Sequence, residues 1–178
     1  MRLSIATLKA LAGLLAVGAV AVLLVAVPAH AAPERAAIFG FEFDDTSLEG
    51  SLRGARPDEQ ARLRALDAQL RAALVGSGRY VAVDLAPVAE QARARDLASC
   101  GGCDATLARQ VGADVAVAGW VQKVSNLILN INVQIRGTTD GRVLRAGSVD
   151  IRGNTDESWQ RGLAYLLRYR ILAQPGGP

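Results

Sequence analysis

From residue 32 onward the apolar positions change their spacing segment by segment, and each spacing predicts an element. Residues 36–43 (AAIFGFEF) are rich in β-formers and predict a strand. Residues 44–57 (DDTSLEGSLRGARP) read as a polar, glycine-containing loop. Leu63, Leu66, Leu70 and Leu74 then recur at helical spacing. Pro57 stands in that helix's first turn, Asp58 and Glu59 sit at its positive end, and Arg62, Arg64 and Arg71 lie off the leucine stripe. Gly76-Ser77-Gly78 stops it. Residues 80–84 (YVAVD) predict a short buried strand, 87–97 an Ala-rich helix, and 104–111 a second short helix ended by Gly112.

The pattern changes after residues 114–123 (DVAVAGWVQK), which predict a strand. Leu127, Leu129, Ile131, Val133 and Ile135 alternate with Ile128, Asn130, Asn132, Gln134 and Arg136, giving one apolar face and one mostly polar face. Asp140-Gly141 marks a hairpin turn, and residues 143–151 return as the next strand. A last helix begins near Asn154 or Thr155, with capping-box spacing between Asn154 and Glu157, and its apolar stripe is Trp159, Leu163, Leu166, Leu167 and Ile171. The predicted order is β-α-β-α-α-β-β-β-α. It describes an α/β (α+β) mixed sheet with a parallel first half and an antiparallel C-terminal meander.

Residues 1–31 carry a different signal. Arg2 and Lys9 precede an uncharged run over 10–27, then Pro28 and Ala29-His30-Ala31. That is the order of a secretory signal peptide cleaved after Ala31, and it predicts a periplasmic or secreted protein. The alternative is an uncleaved membrane anchor, the only membrane contact expected. The expected organisation is a signal over 1–31, one mixed α/β domain over 32–173 and a short tail over 174–178.

Removing the signal changes the chemistry on offer. The formal charge falls from +3 to +1 with the loss of Arg2 and Lys9, which argues against a nucleic-acid partner. The single histidine, His30, leaves as well, so neither a Ser-His or Cys-His nucleophile pair nor a His metal ligand remains. Lys123 is the one lysine left. No P-loop, G-x-G-x-x-G after a strand, G-x-S-x-G or H-E-x-x-H is present. No cofactor, metal or catalytic residue is expected.

Four groups of residues carry possible function. Cys100 and Cys103 flank two glycines and in an oxidising compartment form a disulfide by default. A redox pair at a helix N-terminus, or half of a metal site, are the alternatives. Asp44, Asp45, Thr46, Ser47 and Glu49 follow the first strand, where open α/β sheets gather ligands and where carboxylates could hold a hard cation; a solvated acidic loop is the plainer reading. Arg152 and Asn154 join the last strand to the last helix as a capping or binding segment. Trp120, Gln122, Lys123, Asn126, Asn130 and Asn132 cluster on the third and fourth strands, and an exposed amide surface suits recognition.

Residues 37–43 (AIFGFEF), 78–84 (GRYVAVD) and 112–119 (GADVAVAG) resemble strand-entry phrases of the TolB amino-terminal domain and of CsgG-like and LpoB-like envelope proteins. Residues 45–50 (DTSLEG), 100–104 (CGGCD), 119–130 (GWVQKVSNLILN) and 152–159 (RGNTDESW) look like a family of secreted bacterial proteins of unknown function. The first resemblance implies a binding or assembly module. The expectation is an exported, non-enzymatic domain that binds another envelope or secreted protein. The alternative is a periplasmic thiol–disulfide or metal-handling protein using Cys100 and Cys103.

Overall fold

A computed structural model describes residues 32–54 and 56–174. The expected signal peptide and the last four residues of the tail lie outside the described residues. The chain runs β1 (Glu34–Asp45), α1 (Leu48–Arg53), α2 (Pro57–Gly76), β2 (Tyr80–Ala82), a 3-10 turn (Ala86–Val88) leading into α3 (Ala89–Arg93), α4 (Cys103–Gln110), β3 (Val115–Ser125), β4 (Ile128–Gly137), β5 (Val143–Ile151) and α5 (Asp156–Leu166), whose end widens into a π turn (Leu167–Ile171). Five strands make one mixed sheet in the order β2-β1-β3-β4-β5. β1 pairs in parallel with β2 and β3, and β3-β4-β5 is an antiparallel meander.

The crossover from β1 to β2 and the one from β2 past β1 to β3 run in opposite directions along the sheet, so their helices cover opposite faces. On the first face α2 and α5 set Leu63, Leu66, Leu70, Leu74, Trp159, Leu163 and Leu166 against Ile38, Val117, Val121, Ile131 and Val133. On the second face small residues allow close approach: Ala108 of α4 meets Ala37 and Ala116, while Val88, Leu97 and Leu107 pack on Ala118. Gly119 serves the first face in the same way, since a Cβ there would stand 2.6 Å from the Phe41 ring.

A bulge in β1 decides which side chains share a face. Pairing with β3 shifts between Ile38 and Gly40, and Gly40 adopts φ 88°. Ala37 and Phe39 therefore serve the second core, whereas Ile38, Phe41 and Phe43 serve the first. The Asp67 carboxylate on α2 accepts from the Phe41 amide at 2.7 Å, holding the kinked backbone.

Several expectations need correction. The segment read as loop contains α1, which buries no residue and so shows no apolar stripe; Ser47 caps it by accepting from Gly50 N. The helix expected to reach residue 97 stops at Arg93, because the Glu42 carboxylate takes the amides of Leu97 and Ala98 at 2.8 and 3.2 Å. Leu127 does not join the apolar face of β4; it stands 71% exposed in the β3–β4 turn. Thr155, not Asn154, caps α5 by accepting from Ser158 N.

Candidate functional site

The strand order reverses beside β1, and the carboxyl ends of β1 and β3 lie next to each other there, with Asp45 opposite Lys123. That is where open α/β sheets place their sites. The two faces of the sheet carry different chemistry at this end.

On the first face Lys123 is sealed inside a cage. Its side chain is 0% exposed, and its ammonium donates to Glu59 at 2.7 Å, Asp45 at 3.2 Å and Glu49 at 3.4 Å. Each carboxylate comes from a different element. Asp45 ends β1 and also accepts from the Ser47 amide and hydroxyl, an Asx turn that starts α1. Glu49 lies in the first turn of α1 and accepts from Asn126 at 2.7 Å and Arg56 at 3.3 Å. Glu59 lies in the first turn of α2 and is wholly buried. Thr46 closes the rim, its amide and hydroxyl both donating to the Lys123 carbonyl.

Asn154 ties the last helix to this cage. Its amide nitrogen donates to Glu59 at 2.6 Å and to Asn126 at 3.2 Å, while its oxygen accepts from Trp159 Nε1 at 3.0 Å and Arg62 at 3.1 Å. Arg62 continues outward to Asp58 and Asp156. Among the described residues, Glu59 Oε2 is one of three buried side-chain polar atoms with no partner.

The charges tune one another. Burial pushes the Asp45 carboxyl up, but the Ser47 hydroxyl and amide and the Lys123 ammonium outweigh it and hold the group below its ordinary value. Asn126, and then Lys123, lower Glu49. Burial lowers Lys123, yet its hydrogen bonds to Glu59 and Asp45 win, so it is held above its ordinary value. A protonated, sealed ammonium is neither a nucleophile nor a surface contact. It also stands where a cation held by Asp45 and Glu49 would sit, so the acidic segment is satisfied from within.

Lys123 thus leaves the set of candidate surface residues. Asp45, Ser47, Glu49, the half-buried Asn154 and the exposed Asn126 are tied into the same hydrogen-bonded network. Arg152 is exposed at the end of β5, and its carbonyl accepts from Ser158 Oγ at 3.1 Å. Glu59 was not among the expected site residues although its spacing gives it away: it stands four residues before Leu63, on the leucine stripe. A carboxylate on an apolar stripe needs a buried cation, and the chain beyond residue 31 has one lysine.

The second face is open at this end of the sheet. Two rows cross four strands: Glu42, Trp120, Asn132 and Ser148, then Asp44, Gln122, Asn130 and Asp150. Asn130 donates to Ser148 at 2.8 Å and to Asp150 at 2.7 Å and accepts from Asn132, so the amides form a fixed ladder. Trp120 is half-buried beside a groove of about 730 Å³ walled by Glu42, Asp44, Ala92, Arg95 and Ser99.

The far wall of this groove leads to the Cys100–Cys103 disulfide, with Cα atoms 5.7 Å apart. The bond closes the turn before α4, and Cys100 is exposed. Among the described residues no group of three or more His, Cys, Asp or Glu side chains is placed to hold a metal ion, and no helix is long and apolar enough to cross a membrane.

Solved structures similar to this chain share its layout at low identity. The LpoB C-terminal domain from Salmonella enterica is 16% identical, with TM-score 0.48, covering 70% of this chain and 87% of that one. Lipoprotein GNA1162 from Neisseria meningitidis is 16% identical, with TM-score 0.47, covering 70% and 84%. The PelC dodecamer from Paraburkholderia phytofirmans is 13% identical, with TM-score 0.48, covering 79% and 89%. A likeness of this degree says nothing about partner or activity. No curated protein matches the sequence. Residues 34–171 match the family model DUF3280, described as "Protein of unknown function (DUF2380)", and the chain belongs to that family.

Proposed function

We propose that this chain is an exported, non-enzymatic binding module of the bacterial cell envelope, and that it meets a partner protein through the open sheet face around Trp120. The observation that carries this reading is the contrast in cover. Helices seal the first face at the carboxyl ends of β1 and β3, while the second face presents a half-exposed tryptophan and a ladder of amides. Aromatic side chains and fixed polar groups beside a groove are the usual material of recognition surfaces.

The chemistry left to the chain supports the same reading. Past residue 31 there is no histidine, and the one lysine is buried among three carboxylates. The charge pattern and uncharged run of residues 1–31 support export to the periplasm or beyond. A photo-crosslinking amino acid at Gln122, expressed in the source cells, should give one discrete protein adduct. The same group at Arg64, exposed on the outer side of α2, should not. A blank at Gln122, or identical adducts at both positions, removes the reading. Turnover of any substrate by the purified chain, abolished by one point change, would also end it.

A further inference from the structure

We infer that the partner segment received by this face is cationic and extended, with two basic side chains four residues apart. This inference rests on the open face being the binding surface.

Within the two rows the charge is acidic, with Arg95 on the groove wall and the exposed Arg152 two residues past Asp150 as flanking cations. Glu42, Asp44 and Asp150 stand in its two rows, and the basic residues of the strands are all engaged elsewhere. Arg35 lies at the opposite end of β1. Lys123 is sealed under the first face, Arg136 pairs with Asp104 of α4 at 3.2 Å, and Arg145 donates to the Ala173 carbonyl at 3.0 Å. At the groove's outer wall Arg93 is paired with Glu90 at 3.2 Å, Arg95 donates to the Gln91 carbonyl at 3.1 Å, and Asp96 adds a further carboxylate. The Glu42 oxygens are committed to the Leu97 and Ala98 amides, so Asp44 and Asp150 are the outward-facing charges.

Geometry then sets the spacing. Asp44 and Asp150 end one row that spans β1, β3, β4 and β5. Three inter-strand gaps place them roughly 14 Å apart. An extended chain advances about 3.3 Å per residue, so side chains four apart point to one side and reach about 13 Å. Between them Gln122 and Asn130 offer amides to the backbone of the incoming strand, and Trp120 in the neighbouring row offers its ring to a cation or to an aliphatic stem. The protein is slightly positive overall, so attraction of a basic segment is a property of this face and not of the net charge.

The test uses the chain without residues 1–31 and three blocked nonapeptides of Gly and Ser. One has Lys at positions 3 and 7, one has Glu there, and one has Lys at positions 3 and 4. Trp159 is buried, so a change in tryptophan emission reports on Trp120, and Trp120→Phe verifies that assignment. The spaced lysine peptide should bind about tenfold more tightly than either control, and added salt should erase the difference. Asp44→Asn with Asp150→Asn, both exposed positions, should abolish the preference and leave the far-UV spectrum unchanged. Equal binding of the Glu peptide, no binding of the spaced lysine peptide at millimolar concentration, or a preference that survives the double substitution overturns the inference. If the Gln122 crosslink forms while the peptides show no preference, the surface stands and the cationic partner falls. If neither appears, both fall.

Discussion

Gln122 and Lys123 are neighbours in one strand and sit in opposite surroundings. Gln122 lies on an open face among amides and carboxylates, whereas Lys123 lies under α1 and α2 with three acidic partners. The alternation of a strand splits one stretch of sequence between two jobs. The Lys123 side holds five elements in register through Asp45, Glu49, Glu59, Asn126 and Asn154. On the Trp120 and Gln122 side Glu42 holds the Leu97–Ala98 turn and Asn130 links β4 to β5, while Trp120 and Gln122 are left half-exposed to meet something else. A buried ion network is costly to break and a solvated face is cheap to change, and that difference is measurable.

The largest effect expected is from Lys123→Met. It strands three carboxylates, one of them fully buried, and should cost about 3–5 kcal/mol of folding stability in urea titrations. Lys123→Met combined with Glu59→Leu should recover a large part of that loss, because no fully buried unpaired charge remains. A single Lys123→Met as stable as the parent would break the contrast between the faces. Asn154→Ala comes next at about 1–3 kcal/mol, since it leaves Trp159 Nε1 buried without its acceptor and removes a donor from Glu59.

Acid should attack the same side. Asp45, Glu49 and Asp58 have folded-state values below their ordinary 3.8, 4.5 and 3.8, with Arg56 holding Asp58 at about 2. Their contribution is present above the unfolded values and is lost as pH falls through the folded ones. Lys123 works in reverse: its contribution is present below its ordinary 10.5 and is lost as pH rises through its raised folded value. Urea midpoints from pH 6 to pH 2 should fall in the parent and fall less in Lys123→Met, where Asp45 and Glu49 have lost their ammonium. Equal slopes in the two proteins would contradict the cage.

Opening the disulfide should matter less. Cys100→Ser with Cys103→Ser removes a ring of only four residues, and the loss should be at most about 2 kcal/mol. Smallest of all, Asp44→Asn or Gln122→Ser should change stability by no more than about 0.5 kcal/mol while changing partner capture. A loss on the scale of Lys123→Met from either would show that the open face is structural after all.

The legibility of the site followed the same divide. The segments 45–50, 119–130 and 152–159, far apart in the chain, do meet at one end of the sheet. Which member of each faces inward was not visible in residue type. Asn154 has the spacing of a cap, but its amide is claimed by Glu59, Asn126, Trp159 and Arg62, so Thr155 caps the helix instead. Leu127 heads an apolar alternation whose strand begins one residue later than it reads, at Ile128, because pairing between β3 and β4 shifts after Lys123 and the turn takes Asn126 and Leu127.

Local pattern alone determined the element order apart from α1, the mixed sheet, the leucine stripe of α2 and the poverty of catalytic groups. Those depend on periodicity and composition, which short segments carry by themselves. Only the tertiary structure decided that Lys123 is an interior group and Gln122 an exterior one, and that Asp45 and Asp44 part to opposite faces. The parity of a strand is fixed by the bulge at residues 38–40 and by the partners on either side, and those partners come from residues as many as 79 positions away.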